Sequence, residues 1–230
     1  MKSSENLLTK RVRKISKKEC YKTVRGSGEA VLVEKKSKFI AHVRPVETEE
    51  EALGFLAEMR AEYSVATHND YAYIIDENNI VRYSDDGEPS GTSGMPTLDT
   101  IRKEGLVDVA VVVTRYFGGT LLGTGGLVHA YGGAARLGLL DAGIVTRVLC
   151  CEVSARVDYT MVGKVQYLIA TGGYMLDDTL YENEVEFRLC LKKEEVERFT
   201  KEITELTSGR VIIKNTGKRY VDIDEKQEEE

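Results

Sequence analysis

Between Val107 and Leu140 an apolar strand empties into Arg115-Tyr116-Phe117-Gly118-Gly119, then Leu121-Leu122-Gly123-Thr124-Gly125-Gly126, then a helix rich in small residues. Glycine loops expose backbone N–H groups, a helix N-terminus adds its dipole, and Arg115 supplies a fork of donors; together these make an anion site. The known nucleotide loops do not fit. No Gly-Lys-Ser/Thr follows the strand, and Val128 stands where a dinucleotide fingerprint needs its third glycine. The alternative is that the glycines only permit sharp turns and close packing. The helix, expected over about Leu127 to Leu140 and closed by Gly143, reads as apolar all round and hence interior.

An acidic loop, Ser84 to Pro96, is the second place where chemistry is conceivable. Asp85, Asp86 and Glu88 are candidates for a divalent cation or for acid–base work, with His68 and Asn69 near if the preceding hairpin brings the loop ends together. EF-hand spacing is absent, and Asp-Gly is a turn former in its own right, so carboxylates capping backbone donors are the structural alternative. Ser90 and Ser93 lie in glycine-rich sequence without a Gly-x-Ser-x-Gly elbow, so no catalytic residue is assigned. The four cysteines (Cys20, Cys150, Cys151, Cys190) have no metal-ligand or disulfide-framework spacing.

Composition bounds what these residues sit in. The chain has 230 residues, 42% hydrophobic and 30% charged, which is globular composition. The stretch after Met1 is polar and basic with no apolar core, and no apolar run reaches spanning length, which predicts a cytoplasmic protein without signal or membrane segment. The net charge is −6. Residues 1–18 carry seven basic residues against Glu5 alone, and the last seven residues carry five acids against one lysine. The body between them is acidic, so polyanion binding requires a local basic patch or the basic arm. That arm, 1–18, is expected to be disordered, and 224–230 an acidic tail.

The elements that must position the candidates follow from pattern. Val31 to Val43 reads as two strands about a lysine-rich turn. Thr48 and Glu51 match a capping box ahead of Ala52, Leu56, Met59 and Tyr63 at helical spacing. Strands at Tyr71–Ile75 and Ile80–Tyr83 flank Asn78-Asn79, and a short helix is expected near Leu98 to Lys103. From Val153 the order is strand, helix (capped by Thr160, ended by Gly172), hairpin, helix, then a last strand at Val211–Ile213. This βαββαβ grammar is that of ferredoxin-like domains. The chain therefore reads as α+β with two domains, 19–146 and 147–223.

Four segments together resemble the IMPACT family: Lys36-Ser37-Lys38-Phe39-Ile40, Ala66-Thr67-His68-Asn69, Asp85 to Thr92, and Val113 to Val128. The C-terminal half is similar to the family's bacterial YigZ/YvyE branch. The resemblance spans about residues 20–222. It implies an N-terminal domain with the fold of the second domain of a ribosomal small-subunit protein and of GHMP kinases. It implies a C-terminal domain like those of elongation factor G, and a role in translation control through RNA or the ribosome. From composition and spacing, no cofactor, metal, membrane partner or DNA-specific motif is expected. Lys38 and His129 join the anion candidates; family members carry Lys or Arg where this chain has His129. A metal-dependent hydrolase or phosphotransferase and a protein-interaction module are the rival readings.

Overall fold

The computed structural model describes residues 18–224; the expectations for the basic arm, apart from Lys18, and for the acidic tail beyond Asp224 fall outside them. The first sheet joins β2 (Gly28–Glu34), β3 (Ser37–Pro45), β4 (His68–Ile75), β5 (Ile80–Ser84) and β6 (Val109–Tyr116). Their order is β2-β3-β6-β4-β5, antiparallel throughout. The Lys35-Lys36 turn closes the β2–β3 hairpin with φ of 45° and 69°. Central β6 is buried on both faces, which explains its unbroken apolar run. One face packs Phe39, Ala41, Val111 and Val113 under α2 (Gly94–Lys103) and α3 (Gly123–Ala142). The other packs Ala110, Val112 and Tyr73 under α1 (Glu49–Glu62).

The starts of the first three helices differ in detail from the sequence reading. At α1, Thr48 accepts from the Glu51 N–H at 3.2 Å as expected, but the Glu51 carboxylate accepts from Glu47 at 2.7 Å rather than from Thr48. Helix α2 begins at Gly94, ahead of the expected Leu98, because Pro96 sits in its first turn, where a missing N–H breaks no helical bond. Helix α3 begins at Gly123, so half of the supposed glycine loop is its first turn. It is also not interior all round, since Leu137 and Leu140 face solvent.

The second sheet is built on β7 (Ile144–Val157), which pairs with β10 (Ile212–Asp224) along nearly its whole length. On its other edge β1 (Cys20–Val24) and β9 (Val185–Lys192) follow end to end, with β8 (Met175–Tyr181) outside β9. Helices α4 (Val162–Gly172) and α5 (Lys193–Leu206) cover one face through Val165, Ile169, Phe199 and Ile203. Thr160 does not cap α4; a 3-10 turn over Tyr159–Met161 leads in, and Gly173 at φ 67° ends it in place of Gly172. The last strand is much longer than Val211–Ile213: its polar residues occupy an edge ladder, broken once by a bulge between Asn215 and Gly217. The chain is thus a two-domain α+β protein. Strand β7 runs unbroken through the 146/147 boundary, and β1 pairs with its first residues.

Candidate functional site

Register places the first candidates in a row. Phe39 of β3, Arg115 of β6 and His68 of β4 are direct cross-strand neighbours, and so share the face covered by α2 and α3. Arg115 is only 5% exposed. Its guanidinium pairs with Glu88, whose Oε1 also accepts from the Tyr131 hydroxyl at 2.9 Å. The guanidinium lies 5.4 Å from the centre of the Phe39 ring and 5.6 Å from that of Phe117, with no partner for its Nε. His68 Nδ1 donates to the Asp86 carbonyl at 2.8 Å, and its Nε2 stands 3.8 Å from Glu88. The loop ends do meet at His68.

The acidic loop turns through Asp86, Gly87 and Gly91 at φ of 42°, 93° and 76°. Asp85 caps α2: it accepts N–H bonds from Gly91, Ser93 and Gly94 at 2.9, 3.2 and 2.9 Å, and the Ser93 hydroxyl at 3.0 Å. Burial pushes its carboxyl up, but these donors outweigh it and hold it below the ordinary range. Asp86 accepts from the Asn69 N–H at 2.8 Å and from Arg60 at 3.3 Å. Asn69 in turn donates to the Tyr63 carbonyl and accepts from Thr114. All three acids therefore have structural partners. Among the described residues no group of three His, Cys, Asp or Glu side chains is arranged to hold a metal ion.

The sequence reading missed two members of this network. Asp70 is fully buried, accepts from the Ser93 hydroxyl at 2.6 Å and leaves its Oδ2 without a partner. Burial raises its carboxyl to about 7, opposed by Ser93 and Tyr131 and reinforced by Glu88 and Asp86. Tyr131, also fully buried, packs edge-on against Phe39 at 5.0 Å, and its hydroxyl is pushed far up by burial and these acids. The strand begins at His68, three residues ahead of the expected Tyr71, and so takes in Asp70, which the sequence reading left in the polar lead-in.

The remaining candidates form an exposed surface beyond the network. Gly118 donates to Ser37 Oγ at 3.1 Å, and a Cβ on Gly118 would overlap the Lys36 backbone. The glycine is what lets the loop lie against the β2–β3 turn, and this brings exposed Lys35 and Lys36 beside it. Gly119 and Gly123 take φ of 81° and 75°. Thr124 and Gly125 are exposed in the first turn of α3, whose N-terminus has no side-chain cap; Gly126 follows, half-buried. Gly125 needs neither positive φ nor close approach, since a Cβ there meets open space, so neither a sharp turn nor close packing accounts for the glycine at this position.

Not all the candidates come together. Arg115 is linked through Glu88 to Tyr131, which lies eight residues and hence about 12 Å along α3 from Gly123. Lys38 pairs with Tyr116, on the sheet face opposite Arg115. His129 is exposed in a groove of about 550 Å³ between α2 and α3, among Asp99, Lys103, Glu104 and Arg136.

Comparison with known proteins identifies two matched regions. Residues 35–139 match the Impact N-terminal domain, and residues 156–210 match a domain of unknown function. IMPACT family member YvyE of Bacillus subtilis is 41% identical over 203 residues, 88% of this chain and 94% of that protein. IMPACT family member YigZ of Escherichia coli is 32% identical over 178 residues, 76% of this chain and 87% of that protein. A crystal structure of a hypothetical protein aligns with TM-score 0.54 and 29% identity, covering 85% of this chain and 97% of the other.

Proposed function

The chain belongs to the IMPACT family, and we propose that it is a translation- or ribosome-associated regulatory protein that binds RNA through phosphates at the glycine loop of its N-terminal domain. Family membership supports the link to translation. The observation that carries the phosphate reading is the Gly118 contact, which sets the Lys35-Lys36 turn beside a glycine loop that leads, five residues on, into the start of α3, where Leu122 supplies no side-chain cap. Positive charge and unpaired N–H groups then converge on an acidic protein at one place, as polyanion contact there requires. Arg115 serves this surface from below. Its charge is matched by Glu88, so it holds the loop rather than the ligand.

The hydrolase reading rests on three loop carboxylates that already have partners: Asp85 caps a helix, Asp86 holds Asn69, and Glu88 pairs with Arg115. The test is fluorescence anisotropy with a labelled RNA oligonucleotide across a salt series, using the full chain. Lys35→Glu/Lys36→Glu should weaken binding and lower the log–log salt slope by about 0.7 per lost phosphate contact. Deleting residues 1–17 separately reports any contribution of the basic arm. Wild-type protein that binds no RNA at low salt would overturn the reading and favour a protein-interaction module.

A further inference from the structure

Phe117 closes β6 in an unusual setting. Residues 109–115 are buried and Tyr116 partly so, yet Phe117 is 47% exposed, and Leu121 a few residues on is 83% exposed. The ring is not loose. Its own N–H donates to Thr67 Oγ1 at 3.1 Å, and the next N–H, of Gly118, donates to Ser37 Oγ at 3.1 Å. The Arg115 guanidinium backs one ring face at 5.6 Å, and is itself fixed by Glu88 and by Phe39 at 5.4 Å. A phenyl ring backed on one side by a buried cation, and still half exposed, keeps its other side for something outside the chain. The exposed Lys35-Lys36 turn abuts the same loop through Gly118, so what arrives there meets positive charge as well as an aromatic surface.

We infer that Phe117 is a stacking platform for an unpaired base, which makes the ligand of this surface single-stranded RNA in preference to duplex RNA or a phosphate group alone. The inference rests on the anion reading above and narrows it. A ring accepts only a base whose face is free, and the bases of a duplex have theirs covered; a bare phosphate has no use for a ring. Lysines beside the ring take the flanking phosphates without regard to sequence, so recognition here selects strandedness more than base identity.

The experiment compares three probes on the full chain: a single-stranded RNA 12-mer, its duplex, and inorganic polyphosphate. Wild-type protein should prefer the single strand to the duplex. Phe117→Ala and Phe117→Leu should each weaken single-strand binding by about 5- to 150-fold, the range for loss of one stacked base. Phe117→Tyr should restore it, and the salt slope should not change in any of them, since no phosphate contact is lost. Polyphosphate affinity should be the same in all four proteins. If single-strand affinity survives Phe117→Leu, or the duplex binds wild type as tightly, the platform is refuted while the anion surface stands. If wild type binds none of the three probes, the anion surface fails and the platform with it.

Discussion

Arg115→Ala is the natural first test of an anion site, and its main effect should be on stability. The side chain is 5% exposed and pairs with Glu88, which is itself buried. Removing one member of a buried ion pair leaves the other desolvated and unmatched, at a cost of about 3–5 kcal/mol. Glu88 keeps the Tyr131 hydroxyl at 2.9 Å, which softens the loss and places the expectation near the lower end, at about 3 kcal/mol. The truncation also empties the space between the Phe39 and Phe117 rings, which adds to the loss. Urea unfolding followed by far-UV circular dichroism measures it. Arg115→Ala/Glu88→Gln separates the causes, because the amide can still accept from Tyr131 but carries no buried charge. It should recover about 1–2 kcal/mol of what the single variant lost. An Arg115→Ala protein within 1 kcal/mol of wild type, or a double variant no better than the single, would refute the buried-pair account. Binding lost in Arg115→Ala therefore does not identify a ligand contact, whereas binding lost in Lys35→Glu/Lys36→Glu does.

Asp70 holds its proton to about pH 7 when folded but ionises near its ordinary value of 3.8 when unfolded, so stability should fall as pH rises through that window, by up to about 1.4 kcal/mol per unit. Asp70→Asn should flatten this slope; parallel stability curves for the two proteins between pH 4.5 and 7.5 would show that Asp70 is not the group. Gly118→Ala should destabilise strongly because its Cβ has nowhere to go, while Gly125→Ala should be neutral or stabilise by up to about 1 kcal/mol as a helix former in open space; thermal midpoints decide. Asp85→Ala removes the α2 cap and should cost about 0.5–2 kcal/mol in urea unfolding, with amide exchange at Gly91, Ser93 and Gly94 accelerated. A fragment over 144–224 should resist proteolysis longer than one over 147–223, since the shorter one trims the β7–β10 ladder.

What was legible in the sequence was whatever depends on near neighbours. The β2–β3 turn, the Thr48 cap, the all-apolar β6 and the Gly143 stop are set by period and by local backbone chemistry, and each is found in the fold. The αβ grammar after Val153 is equally local. The misses are nonlocal. Nothing near β10 says that a polar edge strand will run 13 residues, because its partner β7 lies over fifty residues upstream. Helix α3 starting at Gly123 defies a helix propensity that glycine lowers by about 1 kcal/mol per residue, and only packing on the sheet makes up for it. At the candidate site, the loop, Arg115 and the acids were visible as residue types. That Glu88 would answer Arg115, and that Lys35 and Lys36 would come to lie beside Gly118, depends on contacts 27 and about 80 residues apart along the chain.

The two halves of the site are divided by charge, and β6 is the divider. On the buried side Arg115 pairs with Glu88 near the buried Asp70, while the partly buried Asp85 and the exposed Asp86 are held by backbone N–H groups and by Arg60. Burial raises the Asp70 carboxyl to about 7, and the neighbouring Glu88 and Asp86 add to that shift. An entering phosphate would meet repulsion there and would have to displace Glu88. On the exposed side Phe117 and Gly118 follow the same strand, and Gly118 lies against the backbone of Lys36 and the Ser37 hydroxyl, at a turn whose Lys35 and Lys36 are exposed. Coulomb attraction is weak in water and strong in a dry interior. The buried arginine is therefore the stronger partner for Glu88, and the exposed lysines are the ones left to attract a polyanion. Binding through them is screened by salt and carries little sequence information, so discrimination among polyanions falls to shape and to the one open ring. An acidic protein can hold RNA in this way only over a short stretch, where the neighbouring acids are already engaged by partners and the lysines are exposed.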